Sequence, residues 1–111
     1  MRKHASLVVF PAPDLSSAKA LFTTLLGSDP YVDAPYYVGY RVEDIEVGLD
    51  PNARQQGPIV YWDTDDIAAS LDQLKSAGAT ERDAIKDVGG GTKVASVTDA
   101  SGSVIGLRQQ A

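Results

Sequence analysis

The sequence has few of the side chains that bind transition metals or act as nucleophiles. Its 111 residues contain no cysteine, one histidine, one methionine and one tryptophan. Without cysteine there is no disulfide, zinc ribbon, iron–sulfur ligand or thiol nucleophile. With one histidine a single chain has no histidine-rich metal site, although its carboxylates remain potential ligands. The composition therefore argues against cysteine-dependent enzymes and against enzymes built on histidine-rich metal centres.

Positive charge and long apolar runs are also scarce. Ten Lys and Arg residues stand against fifteen Asp and Glu, a formal net charge of −5, and the cations are scattered along the chain. Nucleic-acid binding needs a clustered basic surface, so we expect no such partner. No apolar stretch approaches the roughly 20 residues of a membrane span, and residues 1–4 lead into a strand rather than a signal peptide. We therefore expect no membrane partner and a cytoplasmic location.

The first half of the sequence predicts a strand, a helix and further strands. Residues 5–10 form a short apolar run closed by prolines, which is typical of a buried strand. Asp14 follows as a helix N-cap and Gly27 ends the helix. The apolar face between them comprises Leu15, Ala18, Phe22 and Leu25. Residues 31–50, rich in Tyr and Val, predict two or three short antiparallel strands, and residues 51–57 are polar and predict a linker.

The second half repeats this order. Residues 58–63 form a short apolar run, Asp65 or Asp66 caps a helix, and Gly78 ends it. The apolar face of this helix comprises Ile67, Leu71, Leu74 and Ala77. Three strand-like segments follow, separated by strong turn signals, at residues 80–88, 92–98 and 103–108. Residues 89–91 are three glycines without P-loop spacing, so they predict a hairpin turn.

The repeated order predicts the fold class. Each half reads as one strand, one helix and three strands, so we predict a single α+β domain over residues 1–111 that contains two βαβββ modules. Module one covers about residues 5–50 and module two about residues 58–109. In each module the helix covers one face of the sheet. The other face then needs a second layer from the other module, a partner chain or a ligand.

With these elements in this order, the chain resembles the vicinal oxygen chelate superfamily, which contains glyoxalase I, bleomycin resistance proteins and extradiol dioxygenases. The segments that carry the resemblance are residues 8–14, 18–27, 60–67, 71–78 and 99–107. The resemblance implies two βαβββ modules whose strands curl into an incomplete barrel around a cavity, with the helices on the outer face. It also implies a homodimer.

Metal-dependent members of that superfamily bind a divalent cation through His, Glu or Gln side chains on the first and last strands of each module. The resemblance carries these ligand positions over to Leu7, Gly48, Ile59 and Gly106. None of the four has a side chain that can bind a metal, and a shift by one residue brings in only Ser6 or Pro58. We therefore expect no metal and no cofactor. This departure disfavours reactions that need a metal as Lewis acid or oxygen-activating centre.

Strand alternation selects the polar residues that share a face with these four positions. They are Glu46, Asp50, Tyr61, Asp63 and Arg108. Together with the four positions themselves and with Tyr37 and Tyr40, they are predicted to line a ligand cavity. The carboxylates could bind a cation, act in acid–base chemistry or recognise a basic ligand, or they could be solvated at strand ends. Arg108 either pairs with one of them or lies exposed near the C-terminus.

Tyrosine and histidine leave further alternatives open. Tyrosine rings suit planar or cationic small molecules but also suit core packing. Alternation does not decide which of Tyr37 and Tyr40 faces the cavity. His4 is either a general base, half of a metal site shared across a dimer, or a frayed terminal residue.

We interpret the chain as a metal-independent protein that binds a small molecule, resembling the bleomycin resistance proteins. It would sequester a cationic or amphiphilic ligand without any catalytic residue. One alternative is a glyoxalase-like lyase or isomerase, or a dioxygenase-related enzyme, whose chemistry would fall to Glu46, Asp50, Tyr61 and Asp63. Another is an interaction or regulatory dimer with a vestigial cavity.

Overall fold

The computed structural model describes residues 4–54 and 57–111. These residues divide into two compact units, Ser6–Ile59 and Val60–Ala111, and the second unit also includes His4 and Ala5. Each unit holds one predicted module, and each is described by itself. The predicted linker includes Gln55 and Gln56, which lie outside the described residues, as do residues 1–3.

Module one has the predicted order of strand, helix and three strands. Its elements are β1 (Ala5–Pro11), α1 (Leu15–Leu26), β2 (Val32–Ala34), β3 (Tyr37–Val42) and β4 (Ile45–Asp50). The strands are arranged as β2-β3-β4-β1. β1 runs parallel to β4, whereas β3 is antiparallel to both of its neighbours. Residues 31–50 therefore form three strands, the larger of the two predicted numbers.

Helix α1 packs on one face of this sheet. Its N-cap is Asp14, whose side chain accepts a hydrogen bond from the Ser17 amide at 3.1 Å. The core beneath it is built on Val38, Tyr40 and Leu49, with helix residues Leu15, Ala18, Phe22 and Leu26 packed against them. Leu25 was predicted for this face, but it is 73% exposed. Leu25 follows Leu15 by ten residues, so its direction differs from that of Leu15 by about 80°. Leu26, eleven residues after Leu15, points in nearly the same direction as Leu15.

Module two repeats the order in its own unit. Its elements are β5 (Ile59–Asp63), α2 (Ile67–Ser76), β6 (Thr80–Asp87), β7 (Lys93–Thr98) and β8 (Val104–Gln109). The strands are arranged as β5-β8-β7-β6, with β5 parallel to β8 and the other pairs antiparallel. The three glycines at residues 89–91 connect the antiparallel strands β6 and β7, as the hairpin prediction requires.

Helix α2 is held at its start by two side chains. Asp66, rather than Asp65, is the N-cap and accepts a hydrogen bond from the Ala69 amide at 3.0 Å. Gln109 on β8 accepts another from the Ile67 amide at 2.8 Å. The core of the module combines helix residues Ile67 and Leu71 with Ala95, Val97 and Leu107 of the sheet, and Leu74 packs against it. Ala77 is the exposed C-cap and does not join the core.

The structure confirms the α+β fold of two βαβββ modules. The N-caps and the glycine turns stand where the sequence predicts them in both halves, and the apolar helix faces do so except at Leu25 and Ala77. Within the described ranges, neither helix is long and apolar enough to cross a membrane.

Candidate functional site

Each sheet has one face packed on its helix and one face that points away from it, here called the far face. In module one the helix face carries Val38, Tyr40 and Leu49, so alternate residues point to the far face. The strand register places Gly39 opposite Gly48 and Leu7 opposite Glu46 there. The predicted positions Leu7, Glu46, Gly48 and Asp50 therefore share one face.

Two tyrosines hold a carboxylate on the far face of module one. The Tyr37 hydroxyl donates a hydrogen bond of 2.5 Å to Glu46 Oε2, and the Tyr31 hydroxyl donates to Oε1. Each carboxylate oxygen of Glu46 thus accepts a hydrogen bond from a phenol hydroxyl. Phenols are neutral donors, so they orient the carboxylate while its negative charge stays in place. This cluster of Tyr31, Tyr37 and Glu46 is called the tyrosine–glutamate cluster below.

The two phenol rings lie over backbone that carries no side chain. A Cβ atom at Gly39 would lie 3.1 Å from Tyr37 Cε2 and 3.5 Å from Tyr31 Cε1. A Cβ atom at Gly48 would overlap the end of the Tyr37 ring, 2.7 Å from Cε1 and closer to the hydroxyl. Gly48, which stands at a position carried over from a metal ligand, therefore leaves a space that the Tyr37 ring fills.

Tyr40 was predicted to line the cavity, but the structure places it in the core beneath α1. Its side chain is fully buried, its hydroxyl donates to the Lys19 carbonyl at 3.0 Å, and it hydrogen-bonds Thr23 Oγ1 at 2.8 Å. Residues three apart on a strand face opposite sides, so Tyr37 and Tyr40 cannot both face the cavity. Tyr37 takes the far face and Tyr40 fixes the helix.

Asp50 lies at the end of β4 and has a structural contact. Its Oδ1 accepts the Asn52 amide at 2.8 Å, which closes the turn after the strand, and its carbonyl accepts the Ala12 amide at 2.9 Å. Leu7 is 7% exposed and Ile59, at the start of β5, is 2% exposed. These two positions therefore contribute apolar side chains and no ligating atom.

Module two also places a tyrosine ring over a glycine. Tyr61 on β5 stands directly opposite Gly106 on β8, and a Cβ atom at Gly106 would lie 2.7 Å from both Cγ and Cε2 of the ring. Asp63 and Arg108 form the next pair on the same face. Four of the five predicted residues of this module, Tyr61, Asp63, Gly106 and Arg108, are thus brought together on its far face.

Asp63 is held by an arginine and an amide. Arg108 Nε donates to Asp63 Oδ1 at 3.4 Å, and Gln110 Nε2 donates to Oδ2 at 2.9 Å. The two charged side chains are only 12% and 20% exposed for Arg108 and Asp63, so little water screens them. Of the two expectations for Arg108, pairing with a carboxylate is the one observed. Asp63 is a partly buried ion-pair partner rather than a solvated strand end.

His4 stands at the edge of module two. Its carbonyl accepts the Asp63 amide at 3.0 Å, and its imidazole Nε2 lies 3.6 Å from Asp63 Oδ2 with 66% of the side chain exposed. The backbone contact shows that His4 is held in place rather than frayed. A cleft of about 320 Å³ opens here, lined by His4, Asp63, Thr64, Asp65, Gln109 and Gln110. It shares only Asp63 with the predicted cavity residues.

These residues do not fit the divalent metal that metal-dependent members of the vicinal oxygen chelate superfamily bind. The four ligand positions carry two aliphatic side chains and two glycines, and at both glycines a tyrosine ring occupies the space of a ligand side chain. Within residues 4–54 and 57–111, no group of three or more His, Asp or Glu side chains is arranged to hold a metal. The donor set therefore lacks the chemistry that a divalent cation requires.

Three residues near these sites were not among the predicted site residues. Tyr31 lies between α1 and β2, where strand alternation cannot assign a face, yet its hydroxyl reaches Glu46. Arg41 places its guanidinium 4.8 Å from the centre of the Tyr31 ring. Gln110 follows the last strand. Arg41 stands opposite Glu46 in the register of β3 with β4, which the sequence alone does not give.

Comparison with known proteins gives structural neighbours only. No family model matches the sequence, and no curated protein sequence matches it significantly. The chain is similar to the NAD-dependent benzaldehyde dehydrogenase of Legionella pneumophila, with 10% identity and a TM-score of 0.76 over 99% of this chain and 100% of the other. It is similar to a glyoxalase/bleomycin resistance protein/dioxygenase superfamily member of Vibrio splendidus, with 16% identity and a TM-score of 0.70 over 99% and 98%.

A third neighbour is the methylmalonyl-CoA epimerase of Streptomyces coelicolor, with 13% identity and a TM-score of 0.71 over 97% of this chain and 94% of that one. The names of the three neighbours differ in activity, so the likeness carries the fold and not a reaction. The full-length match agrees with the two modules derived from the sequence. The chain has the fold of the vicinal oxygen chelate superfamily.

Proposed function

We propose that this protein binds a cationic or amphiphilic small molecule without a metal, and that the tyrosine–glutamate cluster of module one contributes the recognition. The observation that carries the proposal is the pair of phenols donating to both oxygens of Glu46. A fixed carboxylate beside two aromatic rings has the chemistry that recognises an organic cation. The proposal requires no catalytic residue.

The physical support lies in how the cluster is held. Tyr37 cannot turn inward because Gly39 and Gly48 already lie against its ring. Tyr31 is 51% exposed, so one ring of the cluster presents surface to solvent. Because these side chains are already fixed before binding, the protein loses less conformational entropy when a ligand associates. The net charge of −5 adds attraction for cations at low ionic strength.

Binding can be measured by NMR titration of the protein with benzyltrimethylammonium, with benzenesulfonate as the anionic counter-probe. We expect the cation to shift tyrosine ring signals and the anion to have no effect. Glu46→Gln keeps the shape of the side chain but removes its charge. A charge pair at about 4 Å in water is worth roughly 1 kcal/mol, so this variant should bind the cation about 5-fold more weakly.

Two controls make the result specific. Tyr36→Leu removes a 70% exposed tyrosine that precedes Tyr37 in the sequence and should leave the affinity unchanged, whereas Tyr37→Leu should weaken it. Treatment with a chelator should also leave the affinity unchanged. Equal affinity for benzyltrimethylammonium in wild type and Glu46→Gln, or binding that depends on added divalent metal, would contradict the proposal.

We further propose that the protein works as a homodimer, as the resemblance of its sequence to the vicinal oxygen chelate superfamily leads us to expect. Sedimentation equilibrium at several concentrations measures the mass directly. A single species at the mass of one chain over the whole range rejects this part of the proposal without touching ligand binding.

A further inference from the structure

The aromatic face of Tyr31 already has a cation on it. The Arg41 guanidinium carbon lies 4.8 Å from the ring centre, within the distance at which a cation is attracted to the ring quadrupole. Arg41 is exposed and extends from β3, opposite Glu46 in the strand register. One long, exposed side chain thus lies on the ring, and its strand position is opposite that of the carboxylate.

We propose that the Tyr31 ring, beside the carboxylate of Glu46, forms a site for the guanidinium group of a ligand, and that Arg41 covers this ring when no ligand is bound. The inference rests on the proposed function and narrows the ligand class from cations in general to planar guanidinium compounds with an apolar group attached. Guanidinium is planar, stacks on aromatic rings and is more weakly hydrated than ammonium. The contact made by Arg41 is the geometry that such a ligand would reproduce.

Arg41 can leave the ring at little cost to the fold. Its side chain is exposed, and an exposed cation–π contact is weak. Tyr31 stays in place when Arg41 leaves, because its hydroxyl is bound to Glu46 and its backbone amide donates to the Gly39 carbonyl at 2.9 Å. The ring and the carboxylate are therefore fixed, while the guanidinium above them is exchangeable.

Competition of this kind lowers the apparent affinity of a ligand by the fraction of molecules in which the site is open. An exposed cation–π contact of ordinary strength keeps Arg41 on the ring in most molecules. The apparent affinity of the ligand is then about 3- to 6-fold weaker than its affinity for the open site. Arg41→Ala removes the internal competitor, so it should tighten ligand binding by about that factor. Arg41→Lys, which keeps the charge without the planar group, should give an intermediate affinity.

The test is an NMR titration with benzylguanidinium, with benzylurea as its neutral analogue of nearly equal shape. Wild type, Arg41→Ala, Arg41→Lys and Lys93→Ala are compared at one salt concentration. Lys93 is an exposed lysine on β7 of module two, so its substitution changes the net charge as Arg41→Ala does. We expect tighter benzylguanidinium binding in Arg41→Ala, unchanged binding in Lys93→Ala, and no binding of benzylurea.

A direct readout follows Arg41 itself. In the ligand-free protein its Nε–H signal should be shifted by the ring current of Tyr31, and benzylguanidinium should move it toward the position of a free arginine. Tyr31→Phe keeps the ring and should retain the effect, whereas Tyr31→Leu should abolish it.

The outcomes separate this inference from the proposed function. If wild type binds benzyltrimethylammonium but Arg41→Ala binds benzylguanidinium no more tightly than wild type, Arg41 is not a competitor and only this inference fails. An equal gain in Lys93→Ala has the same meaning, because the effect is then one of net charge. If neither cation binds to wild type or to Arg41→Ala, the proposed function fails as well.

Discussion

The two modules place a tyrosine ring over a glycine in different ways. In module one, Tyr37 reaches Gly48 with the far end of its ring, and its hydroxyl continues to Glu46. In module two, Tyr61 stands directly opposite Gly106 and covers it with the base of the ring, including Cγ. A repeated element order therefore does not produce a repeated site. The tyrosines come from different strands, β3 and β5.

The carboxylates on the far faces differ in the same manner. Glu46 is held by two neutral phenols, whereas Asp63 is held by the guanidinium of Arg108 and the amide of Gln110. An arginine partner compensates the charge of a carboxylate, and a phenol partner orients it. On this difference we base the proposal that module one contributes the recognition, whereas in module two an arginine pairs with the carboxylate.

The helices differ too. α2 contains three buried residues, Ile67, Ser70 and Leu71, whereas no residue of α1 is fully buried and its Leu21 and Leu25 are 68% and 73% exposed. We expect the largest stability difference between the modules here. Leu71→Ala removes side-chain volume from a packed core and should lower the free energy of unfolding by about 2–4 kcal/mol. Leu25→Ala should change it by less than about 0.5 kcal/mol.

Urea unfolding followed by circular dichroism measures both variants. The m-value should stay constant, which ties each change to stability rather than to a change in the unfolded chain. Equal losses in the two variants would show that α1 buries its outer leucines in solution, and the contrast between the helices would then disappear.

The glycine positions come next in size. Gly106→Ala should cost about 3 kcal/mol, because the base of the Tyr61 ring cannot move without its backbone. Gly48→Ala should cost about 1 kcal/mol, because the end of the Tyr37 ring can swing away and alanine also restricts the unfolded chain. Thermal and urea unfolding of both variants provide the comparison.

Double-mutant cycles identify the cause. Tyr61→Leu combined with Gly106→Ala should cost less than the sum of the single changes, and the same holds for Tyr37→Leu with Gly48→Ala. Additive losses would mean that the rings are not what excludes a side chain at these glycines.

The smallest effect concerns an ion pair of module one. Lys19 Nζ lies 2.6 Å from Asp33 Oδ2, and this hydrogen bond raises the pKa of Lys19 above its ordinary 10.5. A raised pKa stabilises the fold while lysine is charged, so the contribution is present below the unfolded pKa and is lost as pH rises through the folded value. The stability difference between wild type and Lys19→Met should therefore shrink between about pH 10 and pH 12, as measured by urea unfolding. A difference that stays constant over this range would show that the ion pair with Asp33 does not contribute to stability.

Much of this architecture could be predicted because it depends on local patterns. Caps such as Asp14 and Asp66, and the alternation around Gly48 and Gly106, act within a few residues and can be read directly. The face of the sheet on which Tyr37 lies could not be predicted. Tyrosine suits both a core and a polar surface, and the face that it takes depends on the register of β3 with β4.

The parts of the site that were missed depend on contacts distant in sequence. Tyr31 and Glu46 are 15 residues apart, and Tyr31 lies outside any strand, so no periodicity links them. Gln110 reaches Asp63 across 47 residues. Leu25 and Leu26 are adjacent leucines at the end of a helix, and only the packing of α1 decides which is buried.

The rings over Gly48 and Gly106 also bear on how this protein can be redesigned. A metal-binding side chain introduced at either position would overlap the tyrosine ring that covers the glycine on the far face. At Gly48 the end of the Tyr37 ring must swing away to admit such a side chain, whereas at Gly106 the base of the Tyr61 ring cannot move and must be exchanged for a smaller residue in the same step. A metal centre in module two therefore requires the paired change of Gly106 and Tyr61, which libraries that vary one position at a time do not contain.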